Sequence, residues 1–144
     1  TPKTNHMNAQ QRILATLAGT VVSFLMGYIL YALALGSFFE AHMGTAENVA
    51  KTDDMVWWAL VAGNVFLAYL LVYIFGKWAN IKTFGAGLQA GAMIGLIIGF
   101  GYDMIAFGTT NTMDLTAALV DPFVTAVMLG VTGGVVGWML GRGK

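Results

Sequence analysis

Two aspartates, Asp103 and Asp121, stand within or at the margin of strongly apolar stretches. Carboxyl groups at that depth can hold a proton, bind a cation or act as acid and base. Asp103 follows Gly99 by four residues and so continues a row of glycines at helical spacing. That places it toward packed helices rather than lipid; the rival reading is an interfacial aspartate reaching water. Asp121 precedes Pro122, a pairing that suits the N-cap and first position of a helix. On that reading a short interfacial helix near 112–120 comes before the membrane part of the last span. Paired at similar depth, Asp103 and Asp121 would couple, holding a proton or a cation between them.

Three further groups stand near the same level. Asn64 lies inside an apolar stretch, so its amide needs an interhelical partner or a wet cavity. Glu40 and His42 follow the first apolar stretch in Phe38-Phe39-Glu40-Ala41-His42, and Thr109, Thr110 and Asn111 follow the third at the matching place. With Tyr102 these residues would form an outer polar pocket whose oxygens suit a hard cation. No pair has metal-ligand spacing, and His42 is the lone histidine there. We therefore assign no metal, no cofactor and no catalytic residue. Motifs of the hydrolase, zinc-protease, P-loop and dinucleotide types are missing from the sequence.

What must position these groups is a membrane-spanning scaffold. Of 144 residues 58% are hydrophobic and 10% charged, far below the roughly 25% charge of soluble domains. Apolar spans fall near 13–36, 55–76, 84–107 and 116–140, each long enough to cross hydrocarbon. They occupy most of the chain, a single domain over 1–144. The fold class is all-α: a polytopic membrane protein of four helices in two tandem hairpins. Threaded from one side, Lys3, Arg12, Lys77, Lys82, Arg142 and Lys144 share a face. Glu40, Glu47, Asp53, Asp54, Asp103, Asp114 and Asp121 share the other, with Lys51 as the lone basic exception. Lys/Arg excess marks the cytoplasmic side, so both termini are expected there. No basic patch suggests nucleic acid, and the absence of cysteine excludes disulfides and thiol chemistry. Residues 1–34 have the outline of a signal peptide, but the apolar run is too long and recurs later, so we expect no cleavage. Thr1–His6 ahead of Met7 are either the protein's own polar tail or foreign to it.

The recurrence is internal. Ala18-Gly19 matches Ala90-Gly91, Ser23 matches Gly95 and Gly27 matches Gly99, at an offset of 72. Tyr73 through Lys77 match Trp138 through Arg142. Gly87, Gly91, Gly95 and Gly99 form one ridge, and Gly19, Ser23 and Gly27 another. The last span offers Gly130 and Gly134 with Ala126, and Gly133, Gly137 and Gly141 on a neighbouring ridge. Small residues let helix backbones approach in lipid, in the manner of a glycine zipper. Tight packing among spans one, three and four is expected, with self-association through the same faces as the competing use.

The stretch Met26–Gly44, Gly63-Asn64, Phe75-Gly76-Lys77-Trp78, Gly101-Tyr102-Asp103, Thr109-Thr110-Asn111 and Asp114 through Pro122 resembles a family of small bacterial four-helix membrane proteins known only as a domain of unknown function. The resemblance implies the fold and a bacterial inner-membrane location, and no activity. The residues themselves suggest a compact non-catalytic membrane protein working by helix packing, with the bilayer and a homo-oligomer or larger complex as partners. The alternative is a small transporter or channel whose outer vestibule uses Asp103, Asp121 and Asn64. A membrane enzyme acting on lipid through Asp103 or Asp121 is a third reading.

Overall fold

A computed structural model describes residues 7–142. Thr1–His6, with Lys3, and Lys144 lie outside the described residues. Four helices are long and apolar enough to cross a membrane: Ala9–Ala34, Trp57–Ala79, Phe84–Thr109 and Leu115–Gly141. The first begins as α1 (Ala9–Gly27), capped by the Asn8 side chain, and ends in wider π-helical turns over Tyr28–Ala34. A short α2 (Gly36–Ala41) follows. The second span is α3 (Trp57–Tyr73), with π-helical turns over Ile74–Ala79, closed by Asn80 in the left-handed region. α4 (Phe84–Thr109) starts on Thr83, whose hydroxyl accepts from the Ala86 amide. α5 (Leu115–Gly141) starts on Asp114, whose carboxylate accepts from Ala117 at 2.9 Å.

The Asp114 cap corrects the expectation at Asp121. There is no separate interfacial helix, and Pro122 lies in the interior of α5. Proline ends helices in water partly because it frees a carbonyl. Membrane helices pass through proline when neighbours compensate, and α4 presses against Pro122 here.

α5 is the centre of the bundle. Half of its most apolar window is buried, 50% against 22% in each other span, and it packs on α4, α1 and α3. Ala15 of α1, Leu71, Val72 and Phe75 from the second span and Leu129, Val136 and Leu140 of α5 form the core. Gln11 ties α1 to the far end of α5 by donating to the Leu140 carbonyl. Outside this, the helices present Val21, Leu25, Phe66, Met93, Ile97, Ile105 and Val127 to the surroundings. So extensive an apolar surface suits acyl chains and not water. Trp57, Trp58, Trp78 and Trp138 lie at the helix ends, also exposed, as interfacial rings do. Lys77 stacks over Tyr73, and Arg142 over Trp138 at 4.2 Å.

The α4/α5 contact runs backbone to backbone. A β-carbon on Gly87 would strike the Gly133 carbonyl, and one on Gly91 the Leu129 carbonyl. One on Gly95 would stand 2.6 Å from the Thr125 carbonyl oxygen, and one on Gly99 2.7 Å from the Pro122 Cα. From the α5 side the closest approaches belong to Gly133, Gly137 and Gly141, against Gly87, Thr83 and Lys82. Gly130 and Gly134 face Ala92 and the Phe84 ring.

Span one packs differently from the expectation. Gly19 faces Ala68 of α3 and Val136 of α5, and Gly27 lies 3.7 Å from the Met128 sulfur, whereas α4 is left to α5. α5 meets α4 through its glycines and backbone carbonyls and meets α1 through the Val136 and Met128 side chains, so α1 and α4 pack on different faces of it. The hairpins still correspond: Gly19 meets Ala68 as Gly91 meets Gly133, positions 72 and 65 apart, the offsets at which the spans align.

Candidate functional site

The α4/α5 register leads to a polar cluster near the acidic face. Gly87, Gly91, Gly95 and Gly99 stand opposite Gly133, Leu129, Thr125 and Pro122 in turn. Asp103 follows Gly99 by one more turn on the same face of α4, and Ala117 and Ala118 of α5 are buried. Asp103 is itself only 2% exposed, and its Oδ2 has no hydrogen-bond partner. Pro122 has no N–H, so the Ala118 carbonyl four residues earlier loses its intrahelical donor. Asp121 precedes that proline, whose Cα lies against Gly99 one turn before Asp103, and its carboxyl acts electrostatically on both Asp103 and Tyr31. Tyr31 also meets the Thr125 hydroxyl at 3.2 Å. Beside the cluster Phe100 and Phe123 pack edge to face, and Tyr31 leans on Phe39. Three helices thus converge on Asp103, Asp121, Tyr31 and Thr125.

The other expected members lie elsewhere, so the single outer pocket divides into separate contacts. Asn64 accepts from the buried Ser23 hydroxyl at 2.6 Å and donates to the Leu60 carbonyl, which makes it a bridge between α3 and α1. Glu40 is exposed, and Tyr102 is 72% exposed on the outer surface of α4. His42 joins Asp114 through Nδ1 at 2.7 Å and packs on Phe38.

The His42–Asp114 pair belongs to a clasp between the two loops of the acidic face. Asp114 donates its amide to the His42 carbonyl, Ala46 donates to that of Asn111, and Met43 bridges Met113. Gly44 fits because a β-carbon there would strike the Asn111 backbone. The Ala117 amide, then the His42 ring, hold the Asp114 carboxyl below its ordinary range. A carboxyl lowered in the folded state contributes stability above its unfolded value, about 3.9, and loses it as pH falls through the folded value. Protection of the Ala46 and Asp114 amides against exchange should therefore decline at acid pH in the wild type, relative to Asp114→Asn. An unchanging ratio between the two proteins from neutral pH downward would refute the clasp's dependence on this charge.

Chemically, the arrangement offers a buried carboxyl pair with two hydroxyls. Among the described residues no group of three or more His, Asp or Glu converges, and the His42 ring hydrogen-bonds to Asp114. Sequence reasoning overlooked Tyr31, Thr125 and the partnership of Asp114 with His42. Thr125 had a signal, one turn beyond Asp121. Tyr31 had none, because the wide turns of Tyr28–Ala34 change the helical phase. Compared with known proteins, the chain matches no protein family, no characterised protein and no solved structure.

Proposed function

We propose that the chain is a compact, non-catalytic integral membrane protein that works through helix packing, as a homo-oligomer or as an accessory subunit of a larger membrane complex. The observation that carries this reading is the closed α4/α5 seam. From Gly99 to Gly87 the two backbones touch, and no side chain separates them. A seam so filled leaves no passage between α4 and α5 themselves. The polar side chains at membrane depth also serve helix contacts, Ser23 with Asn64 and Tyr31 with Thr125. The outward faces offer mostly apolar surface, which suits lipid or another apolar helix. Glycine-zipper packing of α4 on α5 is part of the proposal. So is a bacterial inner-membrane location with both termini cytoplasmic, which the Lys/Arg bias and the family resemblance support.

A small transporter is the second reading, and the Asp103–Asp121–Tyr31 cluster favours it. Asn64 would stand outside such a vestibule, because Ser23 occupies it. A pore would then require several copies.

Self-assembly can be read directly, because the chain contains no cysteine. Single cysteines at Val21, Phe66 and Ile97 would probe the outward faces of α1, α3 and α4 in native membranes. Packing as a working mode predicts an efficient cross-link from one of these faces, to a second copy or to one partner of fixed mass. Monomer alone from all three sites would refute it.

A further inference from the structure

We propose that Asp103 and Asp121 form a binding site for one exchangeable proton, held between their carboxyl groups near the acidic face of the bundle. The inference concerns this cluster alone and holds whether or not the chain assembles. Its basis is an excess of acceptors. Asp103 has almost no access to water, and its Oδ2 is unpartnered. Asp121 is next in sequence to Pro122, which packs on Gly99 one turn before Asp103, so the two carboxyls neighbour each other and act on one another. An ionised carboxyl only accepts, so two of them cannot face each other without a donor between. Pro122 also leaves the Ala118 carbonyl, three residues before Asp121, without its usual intrahelical donor.

No cation resolves the excess. The titratable groups that face one another here are Asp103 on α4, Asp121 on α5 and Tyr31 on the π-helical turns. The ion pairs among the described residues are His42–Asp114 and Lys51–Asp54, both in the loops. A proton on Asp103 turns its carboxyl into a donor and leaves one charge on Asp121. The Tyr31 hydroxyl, paired with that of Thr125 at 3.2 Å, stands beside Asp121 as a neutral polar neighbour of the remaining charge. A proton also needs no cavity. Tyr31 lies on the π-helical turns of Tyr28–Ala34, and π-helical turns within α-helices are frequent at functional sites.

The test is infrared spectroscopy of the whole chain in lipid nanodiscs, with the aspartate carboxyls 13C-labelled so that the glutamates do not contribute. At about pH 7 free carboxyls are ionised. We expect the band of one carboxylic acid per chain, shifted on exchange into D2O and unchanged when sodium is replaced by choline. Asp103→Asn should abolish it. A variant with Asp53, Asp54 and Asp114 all changed to Asn leaves Asp103 and Asp121 as the remaining aspartates, and should keep the band. That second variant makes the assignment even if Asp103→Asn does not fold. A folded wild type without the band would overturn the proposal, as would a band lost in the loop variant. Sodium or calcium raising the melting temperature of the wild type, but not of Asp103→Asn, would overturn it in favour of a metal cation.

Discussion

Gly91→Leu should be the most damaging single substitution in the bundle. A β-carbon there would strike the Leu129 carbonyl and lie 3.2 Å from the Gly133 Cα. Overpacking that side chains can absorb costs about 1–3 kcal/mol. The obstacle at Gly91 is backbone, which moves only if the two helices part. Parting them would break the contacts at Gly87, Gly95 and Gly99 together, so the loss should reach or exceed the top of that range. Ile97→Leu on the same helix is the control. Ile97 is 64% exposed, and a change there should stay within about 0.5 kcal/mol. Thermal unfolding of both variants in one detergent checks the difference. Equal melting would show that the glycine row is not the contact that holds α4 in place.

Asp103→Asn and Asp121→Asn should fail to add. Each replaces one member of the shared arrangement with an amide, which donates and accepts at once. The first substitution therefore supplies the donor that the pair lacked, and the second then has less to change. Neighbouring polar groups in one network depart from additivity by about 0.5–3 kcal/mol. A double-mutant cycle on thermal stability measures the departure. Additive effects would mean that the carboxyls act separately and that their approach carries no energy.

Much of this arrangement was legible in the chain. The four-residue spacing of Gly87 through Gly99 states both that α4 packs and which face it uses, because no other side chain permits such an approach. Extending the row to Asp103 gives that carboxyl its direction. The opposite partner was less legible. α5 carries two glycine ridges, and choosing between Gly130–Gly134 and Gly133–Gly137–Gly141 depends on the angle at which the helices meet, which is a tertiary property. Asn64 shows the same limit: its depth was readable and its direction was not, so a bridge to Ser23 could be taken for part of a vestibule. Asp121 was misread for another reason. Asp-Pro is a start signal for a helix in water, but Asp114 offered an equally good cap seven residues earlier. In lipid the helix gains more by continuing, since an interrupted backbone has no water to turn to. Tyr31 could not be found from spacing at all, since π-helical turns abolish the period on which spacing rests.

The glycine seam, the loop clasp and the carboxyl pair all presuppose four crossings, with the acidic loops on one side and the turn between the second and third spans on the other. Cysteines introduced singly at Lys51 and Lys82 test this most directly, because the chain supplies no background thiol. In intact cells an impermeant thiol reagent should label Lys51→Cys and spare Lys82→Cys until the membrane is opened. Labelling of both positions from one side would contradict the four-crossing arrangement, and labelling of Lys82→Cys alone would reverse its orientation.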